Sequence, residues 1–128
     1  MSDYIQRIGN LLKLQNLSEK NRALLYAEVN DGTIESAIFL HSSPEKLIFR
    51  YLSTELEDLI YEFWEHGDNQ VTPQSWRSME YLLHGQAFDL RFGFPDEFKK
   101  HENAIDRRPR LLQRYFQGAK VDYSNPGA

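Results

Sequence analysis

The sequence predicts an α+β domain: one mainly antiparallel sheet of about five strands with helices packed on one face, in the order α-β-β-β-α-β-β-α. Three observations carry this. Residues 76–94 alternate like a hairpin: Phe88, Leu90, Phe92 and Phe94 fall on one side of an extended chain, and Asp89, Arg91 and Gly93 on the other. Three β-rich runs lie between residues 24 and 51, separated by turn residues. Three further stretches repeat apolar residues at helical spacing. Strand runs set between helical segments make an α+β layer architecture.

The elements follow in order. Ile5, Ile8, Leu11, Leu12 and, less regularly, Leu14 mark an amphipathic first helix over residues 2–14; Asn16 to Asn21 read as its polar exit. Leu24-Leu25-Tyr26-Ala27-Glu28-Val29 reads as a strand. Asn30-Asp31-Gly32 supplies a turn, since Asn and Asp tolerate the left-handed region and Gly enters it freely. A second strand covers Ile34–His41, Ser42-Ser43-Pro44-Glu45 breaks it, and a third covers Lys46–Tyr51. Thr54-x-x-Glu57 matches a capping box. It opens a helix with Leu56, Leu59, Ile60, Phe63 and Trp64 as its stripe, closed by Gly67. Asp68 to Gln74 is a loop. The hairpin from Trp76 to Phe94 then carries much of the core, with Met79, Tyr81 and Leu83 on its first strand and a turn at His84-Gly85-Gln86. Phe98 to His101 reads as a short helical turn. Asp106 is the expected N-cap of a last helix over Arg107–Phe116, which keeps Pro109 in the first turn, where its missing N–H costs nothing. Gly118 ends it. We expect one domain over residues 1–128, with 1–22 as helix and connection and 119–128 as a tail.

Composition bounds the function. An apolar fraction of 41% and 17 aromatic residues suffice for a core. There is no cysteine, so thiol catalysis and thiolate metal sites are out, and a reducing compartment fits. The first residues carry no basic segment followed by an apolar run, and no stretch is long and apolar enough for a membrane helix. We therefore expect a cytoplasmic protein. Residues 1–98 hold 8 Lys/Arg against 16 Asp/Glu, while residues 99–120 hold 7 against 2. An acidic body suits a basic protein partner better than duplex DNA. It also serves solubility.

Chemical motifs are scarce. There is no phosphate loop, His-Glu-x-x-His or Gly-x-Ser-x-Gly pattern. His41, His66, His84 and His101 lack metal-ligand spacing. We expect no catalytic, cofactor or metal site. Glu28 and Glu35 fall on neighbouring strands. Glu57, Asp58, Glu62 and Glu65 share one helix. A general-acid pair would need convergence in a cleft, which spacing alone does not supply.

The chain resembles the YezG-like immunity proteins, antitoxins of bacterial polymorphic and contact-dependent toxin systems. Leu25–Val29 after the first helix, the acidic helix at Thr54–Glu65, Trp76 before a hairpin containing Phe88-Asp89-Leu90-Arg91-Phe92, and Arg107-Arg108 with Tyr115 carry the resemblance along nearly the whole chain. Phe94-Pro95-Asp96 stands where the family has an aromatic–Tyr–Asp ending, and the acidic C-terminal extension of some members is missing. The resemblance implies a non-enzymatic inhibitor that neutralises a cognate toxin domain, often a nuclease, by stoichiometric occlusion. Nuclease domains are basic where they hold phosphate, and an acidic inhibitor mimics that backbone. On this reading the toxin contacts are Glu28, Glu35, Glu57, Asp58, Glu62 and Glu65, with Tyr26 and Tyr61 as aromatic anchors. The rival readings are a carboxylate enzyme, and a nucleic-acid or adaptor protein using the basic last helix.

Overall fold

The computed structural model describes residues 3–15, 22–68 and 70–124. The elements are α1 (Asp3–Gln15), β1 (Arg22–Asn30), β2 (Thr33–Ser43), β3 (Lys46–Arg50), α2 (Thr54–His66), β4 (Ser78–His84), β5 (Ala87–Gly93), a 3₁₀ turn (Pro95–Glu97), α3 (Ala104–Tyr115) and β6 (Lys120–Asp122). The expected polar exit at Asn16–Asn21 lies outside the described residues, as do the last four residues of the expected tail. All the strands join one sheet in the order β5-β4-β1-β2-β3-β6. Every pairing is antiparallel except β3 with β6, which is parallel. The class is α+β, as expected. The sixth strand is new: Lys120 N–H donates to the Glu45 carbonyl at 2.9 Å and brings residues of the expected tail into the sheet edge.

The sheet is organised around β1 rather than the β4–β5 hairpin. β1 lies between β2 and β4, and Ala23 through Val29 are all buried. Its alternate side chains enter two different cores. Ala23, Leu25, Ala27 and Val29 pack with Ile8 and Leu12 of α1 and with Leu56, Ile60, Phe63 and Trp64 of α2. Leu24 and Tyr26 pack with Phe39, Phe49 and Leu111, Leu112 and Phe116 of the α3 segment. Helices therefore cover both faces, which corrects the one-face expectation. A strand buried on both sides reads as a continuous apolar run instead of an alternation, and Leu24-Leu25-Tyr26-Ala27 is such a run.

The hairpin keeps its alternation but sits at the edge. Phe88 and Phe94 remain exposed, and Leu90 and Phe92 are half-buried. His84 pairs with Ala87 across a two-residue loop, and Gly85 takes the φ of +64° such a loop demands. Trp76 precedes the strand. It is buried between Phe63 and Phe92, and its carbonyl accepts from Trp64 Nε1 at 2.7 Å. Leu14 points away from the α1 stripe and is exposed.

Two helix starts differ from expectation. Ser53, not Thr54, caps α2: its extended backbone leaves Oγ to accept from Leu56 N–H at 3.2 Å. Glu57 is then free to accept from Ser36 Oγ at 2.9 Å instead of closing a capping box. α3 begins before Asp106. Asn103 is its N-cap and Asp106 its reciprocal partner, with bonds of 2.9 and 3.2 Å. Pro109 consequently lies inside the helix. The carbonyl its missing N–H would bond belongs to Ile105, an exposed residue. The expected turn at Phe98–His101 is present as a single hydrogen-bonded turn, Glu102 N–H donating to the Lys99 carbonyl at 3.3 Å, and the 3₁₀ turn at Pro95–Glu97 precedes it.

Candidate functional site

The sheet separates two charge environments. On one side, α2 carries Glu55, Glu57, Asp58, Glu62 and Glu65 and no Lys or Arg. Its apolar stripe faces the sheet, so helical periodicity forces these carboxylates outward. Asp58, Glu62 and Glu65 are exposed, and Glu57 and Tyr61 are half-buried. Tyr61 Oη accepts from Gly32 N–H at 2.8 Å and ties the β1–β2 turn, with exposed Asp31, against the helix. Tyr4 Oη donates to Glu62 at 3.2 Å from α1. A groove of about 370 Å³ runs between α1 and α2, lined by Arg7, Leu11, Glu55, Asp58, Leu59 and Glu62. Glu57, Asp58, Tyr61, Glu62 and Glu65 thus form one negative surface on a helix packed on the sheet.

The other predicted residues lie elsewhere. Glu28 pairs with Glu35 across β1 and β2 on the α3 side of the sheet. Glu35 is exposed there, away from α2. Tyr26 and Glu28 are buried, 4% and 8% exposed, and correct the expectation of surface contacts. Their polar atoms are engaged internally. Arg107 Nε donates to Glu28 Oε2 at 2.7 Å, and its second terminal nitrogen donates to Oε1. Arg107 Nη1 donates to the Glu102 carbonyl at 2.7 Å, and Tyr26 Oη donates to Glu28 Oε2. The guanidinium also lies 4.4 Å over the Phe98 ring. This bidentate pair fixes α3 on the sheet. Burial, and then the Glu28 carboxylate, push the Tyr26 hydroxyl far above the usual tyrosine range. The hydrogen bonds to Glu28 hold the proton on Arg107 still more firmly.

Sequence reasoning missed this cluster and its neighbour. Glu80 of β4 is buried; it accepts from Tyr115 Oη at 2.6 Å and from Arg114 Nη1 at 3.1 Å. Arg110 reaches Glu102 at 2.5 Å. Arg108 lies 5.8 Å over the Phe49 ring. The signal in the sequence was a charged residue inside each of two apolar strand runs, Glu28 and Glu80, each of which required a cationic partner. Among the described residues, no three His, Asp or Glu side chains gather as a metal site, and no helix is long and apolar enough to cross a membrane.

Two tyrosines make the fold sensitive to alkali. Burial raises Tyr81 to about 12; burial and then Glu80 raise Tyr115 to about 12. An unfolded tyrosine ionises near about 10. The folded state holds these protons more tightly, so their contribution is fully present below about pH 10 and is lost as pH rises through about 12. Thermal unfolding should show a midpoint falling across that window, and Tyr81→Phe with Tyr115→Phe should flatten the fall. Tyrosine absorbance that titrates wholly near pH 10 in the folded protein would contradict it.

No protein-family model matches the sequence, and no curated protein matches it significantly.

Proposed function

We propose that this protein is an immunity protein: a bacterial antitoxin that binds a cognate toxin domain, one that cuts nucleic acid, and covers its substrate groove. The carrying observation is the α2 surface. Four carboxylates and Tyr61 stand together on a helix anchored by a buried stripe, with no cation on that helix. A nuclease groove is basic along the path of the phosphate backbone. A negative surface of this kind complements it, steers encounter and accelerates association. The resemblance to the YezG-like immunity proteins supports the same reading, and we place the protein in the cytoplasm, where such a toxin would act. The contact set is Glu57, Asp58, Tyr61, Glu62 and Glu65. Glu35, on the opposite sheet face, and the buried Tyr26 and Glu28 are left out of it.

The basic last helix offers less to nucleic acid. Arg107, Arg110 and Arg114 each face a carboxylate, so little of their charge is free for phosphates.

The test is co-expression with the C-terminal domain encoded immediately upstream. Growth should be rescued only when this protein is present, and the two chains should co-purify in equal amounts. A toxic domain that neither binds nor is neutralised would refute the proposal.

A further inference from the structure

β5 is an open edge. Among the described residues it pairs with β4 alone. Natural sheets blunt such edges with lysine, proline, bulges or very short strands, because unpaired N–H and C=O groups template another strand. Of the devices that blunt natural edges, β5 carries only charged side chains, Asp89 and Arg91. It contains no Lys or Pro, and its register with β4 runs unbroken from Ser78–Gly93 to His84–Ala87. The opposite edge, β6, is three residues long.

The order of residues on β5 specifies an occupant. Phe88-Asp89-Leu90-Arg91-Phe92 is charge-palindromic about Leu90. An antiparallel copy centred there sets Leu90 opposite Leu90, Asp89 opposite Arg91, and Phe88 opposite Phe92. Directly opposed side chains share a sheet face. The apolar row therefore meets an apolar row on the α1–α2 side, and the two charges meet their opposites on the α3 side. The side chains are available for this. Phe88 is 38% exposed and stacks on Tyr81 only from within. The Asp89 and Arg91 side chains are 75% and 50% exposed, and their present partners, His84 and Glu97, are surface groups at 3.1 and 3.6 Å.

The backbone is also in phase. The Gly93 carbonyl accepts from Arg77 N–H, toward the β4 side. Hydrogen-bonding direction alternates along an antiparallel strand. The N–H and C=O groups of Phe88, Leu90 and Phe92 therefore point outward, and a two-fold axis through Leu90 makes the Leu90–Leu90 pair a hydrogen-bonded one.

We propose that a second copy of this chain pairs with β5 along that edge, joining two six-stranded sheets into one through an isologous two-fold contact. The proposal is independent of the toxin reading, since it uses no residue of the α2 face.

Sedimentation equilibrium of the full chain, from micromolar to millimolar concentration, tests it. The apparent mass should rise toward twice 15.1 kDa. Asp89→Arg sets Arg against Arg at both ends of the pair and should weaken the dimer at least about tenfold, an effect of the size expected for opposed like charges. Asp89→Arg combined with Arg91→Asp restores the palindrome and should restore the dimer, which a merely local folding role would not. Leu90→Pro removes an outward N–H and the half-buried Leu90 side chain, keeps the β4 ladder, and should leave a folded monomer by circular dichroism. A monomer at every concentration would overturn the proposal, as would a dimer indifferent to Asp89→Arg and Leu90→Pro. So would β5 amides that gain exchange protection only when the toxin domain is added, which would assign the edge to the toxin.

Discussion

Arg107→Ala should lower the unfolding free energy by about 3–5 kcal/mol, the range found when one partner of a buried ion pair is removed. The magnitude comes from what is left behind. Glu28 is 8% exposed, and Arg107 occupies both of its carboxylate oxygens. Without the guanidinium, a charge sits beneath α3 with only Tyr26, among the described residues, to donate to it. The same substitution frees the Glu102 carbonyl and leaves Phe98 only the more distant Arg77 guanidinium, 5.0 Å over its ring. Arg107→Lys should cost less than alanine but still fall short of wild type, because an ammonium cannot reproduce the bidentate fork. Joint replacement of Glu28 by Gln and Arg107 by Met should recover part of the loss, since it leaves no orphaned charge. Urea denaturation of the four proteins measures these differences. A loss below about 1 kcal/mol for Arg107→Ala would mean the pair is exposed in solution.

The largest functional effect should come from the other side of the sheet. Changing Glu57, Asp58 and Glu62 to Lys turns a negative patch positive. Association with a basic toxin domain should slow by about 10–10³-fold at low salt, the span that electrostatic steering covers. Wild-type association should itself slow as ionic strength rises, and the triple variant should lose or invert that dependence. The fold should survive. Asp58 and Glu62 are exposed, Glu62 gives up one exposed bond, from Tyr4, and Glu57 gives up one part-buried bond, from Ser36. Stopped-flow association across a salt series reads the effect, with denaturation midpoints as the control. Salt-independent wild-type rates would remove steering from the account.

Local order was legible in the sequence wherever one face is wet and the other dry. The stripe of α2, the turn at Gly85 and the alternation of β5 all follow from periodicity. Two-sided burial was harder to read. In β1 the run Leu24-Leu25-Tyr26-Ala27 carries no alternation, so nothing local says that α3 must lie across the sheet from α1 and α2. β6 was hidden for another reason. Three residues have no period, and their place depends on β3 lying alongside. The start of α3 was obscured by Pro109, which local rules place in a first turn, although an exposed i−4 carbonyl tolerates it within the helix.

The candidate surface was legible to the same extent. The α2 carboxylates share a face because they share a helix. Tyr26, Glu28 and Glu35 were grouped with them for their acidic and aromatic character, but the pleat puts Glu28 and Glu35 on the opposite side of the sheet. A charged residue within an apolar strand, like Glu28 or Glu80, is better read as half of a buried pair than as a contact for a partner.

The most direct measurement is a titration. The purified domain encoded upstream is assayed for nucleic-acid cleavage while this protein is added in known amounts. Activity that falls linearly and vanishes at one equivalent is the predicted result. Undiminished cleavage at a large excess of this protein would contradict the account.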